Sequence, residues 1–352
     1  MKNPYVPLEL PFEDGLVNPL TFLNELVEAN VVLAQYQVML KHTKIQDDLI
    51  LNRLFSLQEA IYSSKIEGIK VSVDEVFEID AQSKEHTHST QQVINYLVAL
   101  SKKEKLLSKE LFTYLHAELF QNQSVSDYRK SQNYIGSGDA IHAATFVPPE
   151  PKLVDTYMSN LLDYINSDKE DVNHLVKVAI IHAQFETIHP FIDGNGRIGR
   201  MLIPLFLYNK GVIAAQNFFI SEVLHKYRHR YYGYLNDVRS KQDWNQWICF
   251  FLKVVIEQAK KNMKMVEELD FLYERDISYV SRFVTNDNVQ KIVDIMFMYP
   301  VFTVKLMVEL SGISRSTCRR YLDILEQEDL IFSNERRYRK TYYYYNLLDR
   351  LR

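Results

Sequence analysis

His189-Pro190-Phe191-Ile192-Asp193-Gly194-Asn195-Gly196-Arg197-Ile198-Gly199-Arg200 is the stretch on which the organisation of this chain turns. Upstream, Val172 to Thr187 carries apolar residues at helical spacing, among them Leu175, Val178, Ile181 and Phe185. That helix must stop near His189, because the residue before a proline is driven out of the α region. Pro190-Phe191-Ile192 supplies an apolar anchor, and Asp193-Gly194-Asn195-Gly196 is a turn of residues that tolerate positive φ. A second helix is expected from Arg197 to about Tyr208. Helix, tight loop and helix in this order turn a row of backbone N–H groups and a helix N-terminus toward one volume.

Working outward, the chain reads as mainly α. It has only ten glycines in 352 residues and long runs of apolar residues three and four apart. Helices are expected within Asn18 to Glu59, from Gln91 to Leu106, from Ser108 to Phe120 and from Val154 to Asn166, forming a bundle. Asn133 to Pro151 interrupts it with Gly136, Gly138, Thr145-Phe146-Val147 and Pro148-Pro149, the signature of a short β-hairpin flap. A helical run to about Tyr273 is followed by Thr285-Asn286-Asp287-Asn288, which reads as a linker to a C-terminal module. The expected division is residues 1–90 as an N-terminal helical region, 91–270 as the central core and 285–352 as the module.

With 47% hydrophobic residues the chain can bury a sizeable core. A net charge of -4, from 41 basic and 45 acidic residues, gives no whole-molecule attraction to nucleic acid or membrane, so any such binding must be local. Cys249 and Cys318 stand far apart with no metal-ligand spacing, which suits a reducing, cytoplasmic setting. Met1 to Asp14 lacks the apolar run of a signal peptide, and Trp247 to Ile256, interrupted by Lys253, is too short to span a bilayer, so no membrane partner is expected.

Arg197 and Arg200 share one face of the first turn of their helix, where the macrodipole disfavours positive charge. A bound polyphosphate explains them, since it reverses the local field and accepts charge-assisted bonds from each guanidinium. Asp193 offers hard oxygen atoms to a magnesium ion bridging the phosphates. His189, on a loop four residues earlier, is of the residue type that accepts a hydroxyl proton near neutrality. Each feature alone is an ordinary helix end or turn; together within twelve residues they point to transfer of a phosphorus group. A competing reading makes His182, His189 and Asp193 ligands of a hydrolytic metal, but the helix ends between the two histidines.

The same twelve residues match in full the motif HxFx(D/E)GNGRxxR, and here the chain resembles the Fic family. Tyr128-Arg129, Phe146-Val147-Pro148-Pro149 and Tyr231-Tyr232 agree with it, so the likeness covers roughly residues 1–265. The resemblance implies a Fic-type helical bundle and protein adenylylation, in which a target hydroxyl attacks the α-phosphorus of ATP. It casts His189 as the base and Asp193 as the Mg2+ ligand. Asn195 with the Gly194 and Gly196 amides would hold the α- and β-phosphates, and Arg197 and Arg200 the β- and γ-phosphates. Phe191 would anchor the loop, Thr145 and Phe146 would align the target protein by strand addition, and Tyr231 and Tyr232 would lie near the base. A relative that phosphorylates carries Lys where Gly196 stands, so AMP transfer is favoured. A homodimer is a further family-based expectation.

Ser63-Ser64-Lys65-Ile66-Glu67-Gly68 resembles the family's inhibitory motif (S/T)xxxE(G/N). Ser63 and Glu67 lie four apart on one helix face, and Glu67 is suited to pair with Arg200 and keep it from the γ-phosphate. Beyond, Thr303 to Leu310, a turn at Ser311-Gly312-Ile313 and Ser314 to Glu326 read as helix-turn-helix with Ser314 as N-cap. Leu330-Ile331-Phe332 and Tyr342 to Tyr345 flank the basic run Arg336-Arg337-Tyr338-Arg339-Lys340 like the strands of a wing. Thr303 to Arg352 holds ten Lys and Arg against seven Asp and Glu, with Arg315, Arg319 and Arg320 on the second helix. DNA through residues 303–345 and a docked protein are both candidate partners of this winged helix. The leading function is an autoinhibited adenylyltransferase; the alternative is a DNA-binding transcriptional regulator that uses the core as a nucleotide sensor.

Overall fold

The computed structural model describes residues 3–352 except 14, 82–86, 102–106, 122–126, 137–143, 170–171 and 335–339. Its N-terminal region holds α1 (Leu23–Lys41), α2 (Asp48–Ile66), α3 (Val73–Asp80), α4 (His88–Leu100) and α5 (Lys109–Phe120). The flap strands β1 (Ile135–Gly136) and β2 (Ala144–Phe146) pair antiparallel, Ile135 opposite Phe146. There follow α6 (Val154–Asn166), α7 (His174–Ile188), α8 (Asn195–Asn209), α9 (Ser221–Lys226), α10 (Arg228–Lys241) and α11 (Trp244–Val280). The C-terminal module comprises α12 (Asn286–Met298), β3 (Val301–Thr303), α13 (Val304–Ser311), α14 (Arg315–Gln327), β4 (Phe332–Ser333), β5 (Thr341–Tyr343) and α15 (Tyr345–Leu351).

The helices α7 and α8 form the centre. Every residue of α7 from Leu175 to Ile188 is buried, as is nearly all of α8 from Asn195 to Leu207, so both are enclosed on all sides, their polar side chains included. They approach closely at Gly199, where an added Cβ would stand 2.4 Å from Oε1 of Glu186 and 3.2 Å from Cδ1 of Phe185. The 37-residue α11 is a spine along which α1 lies, and its Trp247 indole donates to the Ala179 carbonyl of α7 at 2.8 Å. Packed against α4 and α9, α2 delivers its C-terminal end to the N-terminus of α8.

Most expected helices stand where the periodicity put them. Ser108 and Ser314 cap α5 and α14 by accepting from Leu111 N and Thr317 N. The expected linker at Thr285-Asn286-Asp287-Asn288 is instead the start of α12: Thr285 is its N-cap and Asp287 sits in its first turn. Asn and Asp favour loops and first turns alike, and here the buried Val289, Ile292, Val293 and Met296 behind them decide for the helix. Spine α11 also runs on to Val280, which shortens the connection between core and module. The helix expected to Leu106 is described to Leu100, and residues 102–106, Gly138 of the flap and the basic run 336–339 lie outside the described residues.

Candidate active site

The loop between α7 and α8 is held by its own polar groups. His189 ends α7 in the left-handed region at φ 51, and its N–H still donates to Phe185 O at 2.9 Å. Asn195 uses both ends of its amide on one residue, accepting from Phe191 N and donating to Phe191 O, each at 2.8 Å. Phe191, 1% exposed, stacks on His116 with ring centroids 4.3 Å apart. Gly194 caps α8 at φ +82, a conformation only glycine adopts cheaply. From outside the loop, the buried Arg129 donates to the carbonyls of His189 at 2.9 Å and Pro149 at 2.6 Å, so the motif loop and the flap share one staple.

His189 is half-buried with Nδ1 3.3 Å from the Glu186 carbonyl. Donation from Nδ1 leaves Nε2 as the acceptor. Burial, together with the charges of Arg239 and Arg129, pushes its pKa down to about 3, so the ring is neutral at ordinary pH. Arg239 stands close by: it donates to Glu186 O at 2.9 Å and covers the Phe146 ring at 4.1 Å, joining α10, the end of α7 and the flap.

The two motif arginines are both buried, with side chains 4% and 1% exposed, and they are treated differently. Arg200 is held on one side: Nε donates to Ser63 Oγ at 2.8 Å, and Nη2 to Ser63 O at 3.0 Å and Glu67 Oε1 at 2.6 Å. Burial works most strongly against its charge, but Glu67 together with Tyr231, Tyr96 and Tyr232 outweighs burial and holds the guanidinium well above its usual pKa. Arg197 lacks such partners. Its Nε and Nη1 are buried without a hydrogen bond, Nη2 is 3.8 Å from Asp193 Oδ2, and its face lies over Phe120 at 5.1 Å. Two unsatisfied buried donors cost roughly 1–3 kcal/mol each, which an anionic ligand would recover.

Glu67 follows the last residue of α2 and projects over the start of α8. Its Oε1 lies 2.3 Å from where a Cβ on Gly196 would stand, so a carboxylate occupies the space above the glycine nest. Asp193 is 76% exposed at its side chain and accepts from Gly194 N at 2.6 Å. Glu186, one turn before His189, is 5% exposed with Oε1 unpartnered; burial first, then the charge of Glu67, raises its pKa to about 7.

The tyrosine pair divides. Tyr231, 1% exposed, bonds His182 Nε2 at 2.8 Å and packs against Trp247, so it is a core residue closed off from a nucleotide base. Tyr232 is 36% exposed, near enough for Glu67 and Arg200 to act on its hydroxyl, and remains at the site. The metal reading of His182 fails, because its Nδ1 is engaged by Gly199 O at 2.9 Å and its Nε2 by Tyr231. Phe146 is buried under Arg239, whereas Thr145 is exposed and bonds Ile135 O across the hairpin at 2.8 Å. Glu186 and Arg239 are not among the residues expected from the sequence. The first had a signal, a carboxylate one turn from His189; the second, 50 residues on in another helix, had none.

The Fic/DOC family model matches residues 106–207, and that of the Fic/DOC family N-terminal region matches residues 23–102. An Aquifex aeolicus (strain VF5) protein named "probable protein adenylyltransferase" is 31% identical over 168 residues, 44% of this chain and 49% of that protein. A "protein adenylyltransferase Fic" of Aedes aegypti is 33% identical over 126 residues, 35% of this chain and 22% of that protein. The chain thus spans 49% of the first curated relative and 22% of the second. Among solved structures, a Fic family protein from Desulfovibrio desulfuricans G20 shares the fold with a TM-score of 0.58 at 20% identity, over 97% of this chain and 98% of that one.

Proposed function

This chain belongs to the Fic/DOC family, and we propose that it is a protein adenylyltransferase restrained by its own Glu67. It moves AMP from ATP to a Ser, Thr or Tyr hydroxyl of a target protein, or of itself, and releases pyrophosphate. The observation that carries this is the unequal state of the two buried arginines: Arg197 has open donors and Arg200 is held by a carboxylate above the glycine nest. That is a polyphosphate site with a built-in anion over one half. The names of the relatives support ATP as donor and the α-phosphorus as the point of attack.

In the reaction the target hydroxyl oxygen attacks the α-phosphorus, the bond to the oxygen bridging α- and β-phosphorus breaks, and the hydroxyl proton passes to Nε2 of His189. Arg197 carries charge on the leaving pyrophosphate, joined by Arg200 once Glu67 withdraws. The side chain of Asn195 fixes the loop, so its contribution to phosphate binding is its backbone N–H, beside that of Gly196, while the Gly194 N–H joins them only if it leaves Asp193 Oδ1. A magnesium ion fits Asp193, whose carboxylate is exposed beside the nest. Among the described residues no group of three or more His, Cys, Asp or Glu is placed to hold a metal unaided, so such an ion would need further oxygen ligands from outside the chain. It would supply charge neutralisation. A target segment would pair with the flap strand β2, which Arg239 ties to the end of α7 through Phe146 and the Glu186 carbonyl. We place the protein in the cytoplasm on its two free, separated cysteines; among the described residues no helix is long and apolar enough to cross a membrane.

The test uses the Glu67→Gly chain with magnesium and ATP labelled at either the α- or the γ-phosphate. Protein should take label from the α position only, with labelled pyrophosphate appearing from the γ position. Label transferred from the γ position, or none from either, would overturn adenylyl transfer.

A further inference from the structure

The C-terminal module has its own chemistry, independent of the reading of the nucleotide site. Its elements run helix, strand, helix, helix, strand, strand, with α15 as a terminal helix, and the sheet order is β3-β5-β4 with all neighbours antiparallel. That is the topology of a winged helix-turn-helix, with α14 in the position of the reading helix. The turn before it is tight: Gly312 ends α13 at φ +69, and Ser314 caps α14 two residues later.

Two features decide which way α14 faces. Cys318, Leu322 and Leu325, spaced four and three apart, are buried and bind one side of α14 to the module's own core. The module meets the rest of the molecule through other elements. Arg53 of α2 donates to Met298 O at 3.1 Å and covers the Tyr299 ring at 4.3 Å, Tyr343 of β5 reaches Glu78 of α3 at 2.9 Å, and Arg352 pairs with Asp74 at 2.8 Å. The outer face of α14 is left uncovered, and its first two turns expose Arg315, Ser316, Arg319 and Arg320. None of these three arginines is ion-paired to an acid among the described residues, and Arg320 rests over the Tyr321 ring at 5.2 Å. The acids of α14 lie in its later turns, where Glu326 is already neutralised by Lys340 at 2.5 Å. Positive charge is therefore concentrated at the end of the helix that enters a groove first.

We propose that α14 binds duplex DNA by its N-terminal half in the major groove, with Arg315 and Arg319, one turn apart, reaching base edges and Arg320 a flanking phosphate. The occupant follows from charge and shape: a helix presenting guanidinium forks and hydroxyls on a convex face complements a groove lined by guanine acceptors and phosphates. A-form RNA is excluded as an equal ligand because its major groove is too deep and narrow to admit the helix.

The full chain and its Arg315→Ala/Arg319→Ala double variant would be passed over a random-sequence duplex DNA pool, and Kd measured on the enriched sequence across a salt series. Both residues are exposed and neither is among the residues of the nucleotide site, so an unchanged melting temperature and unchanged nucleotide transfer confirm that the variant is folded. Enrichment of one sequence, a log–log salt slope of about -0.9 for the Arg320 phosphate contact, and at least tenfold weaker binding by the variant are expected. No enrichment, equal binding by the variant, or equal competition by duplex RNA or by an acidic polypeptide such as polyglutamate would overturn the proposal, the last pointing to a protein partner.

Discussion

Around Arg200 three carboxylates share one positive charge, and their protonation differs with what each touches. Glu67 takes the direct contact at 2.6 Å, while Glu59 and Glu186 act on the guanidinium without an ion pair to it. Glu186 is the outlier, a buried carboxyl with an unpartnered oxygen whose pKa burial raises from 4.5 to about 7. Its folded form binds the proton more tightly than its unfolded form, so its contribution falls as pH rises from 4.5 toward 7 and beyond. Glu186→Gln removes that dependence. Relative to the parent, the variant should gain about 2–3 kcal/mol between pH 5 and pH 8, since each pKa unit is worth about 1.4 kcal/mol. Urea unfolding at the two pH values measures it, and an unchanged difference would mean that the carboxyl is not held protonated. His182 and His189 pull the other way: both are pushed down to about 3 by burial, so their contribution is lost as pH falls from 6.5 toward 3.

At the scale of elements the site is the seam between α7 and α8, and the seam depends on closeness. Gly199 lets Glu186 and Phe185 lie against α8 where any side chain would collide with a buried carboxylate. Gly199→Ala should therefore destabilise the fold by about 1–3 kcal/mol through overpacking, seen as a lower urea midpoint; a neutral effect would show that the seam has slack. This closeness could not be read from the sequence, where Gly199 is only the variable position before Arg200. What could be read was local: the end of α7 at His189, the turn at Gly194, the cap at Ser314, and the four-residue spacing of Ser63 and Glu67. Arginine placement was legible because it broke a rule, with Arg197 and Arg200 at a helix start. The partition of Tyr231 into the core and Tyr232 to the site edge was not, because adjacent helix residues carry no mark of which way a neighbouring helix lies. The linker that became α12 failed for a related reason, since Thr, Asn and Asp serve a cap as readily as a loop.

In the whole molecule the C-terminal module does not hang free. It grips α2 through Arg53 and α3 through Glu78 and Asp74, and Glu67-Gly68 lies in the short connection between those two helices. A module fastened to both sides of the connection limits how far Glu67 can swing. Loosening it with Tyr343→Phe and Arg352→Ala should raise nucleotide transfer several-fold in the parent chain and leave transfer by the Glu67→Gly chain unchanged, because the two changes act on one restraint. Equal gains in both backgrounds would separate the module from the brake. In the proposed function Glu67 occupies an otherwise competent site. The most direct measurement is incorporation of α-labelled AMP into protein by the parent, by Glu67→Gly and by Glu67→Gly/His189→Ala. Glu67→Gly should incorporate at least about tenfold more label than the parent, a change of ~1.4 kcal/mol or more in barrier, and the double variant none; equal incorporation by the parent and Glu67→Gly, or label surviving the loss of His189, would contradict it.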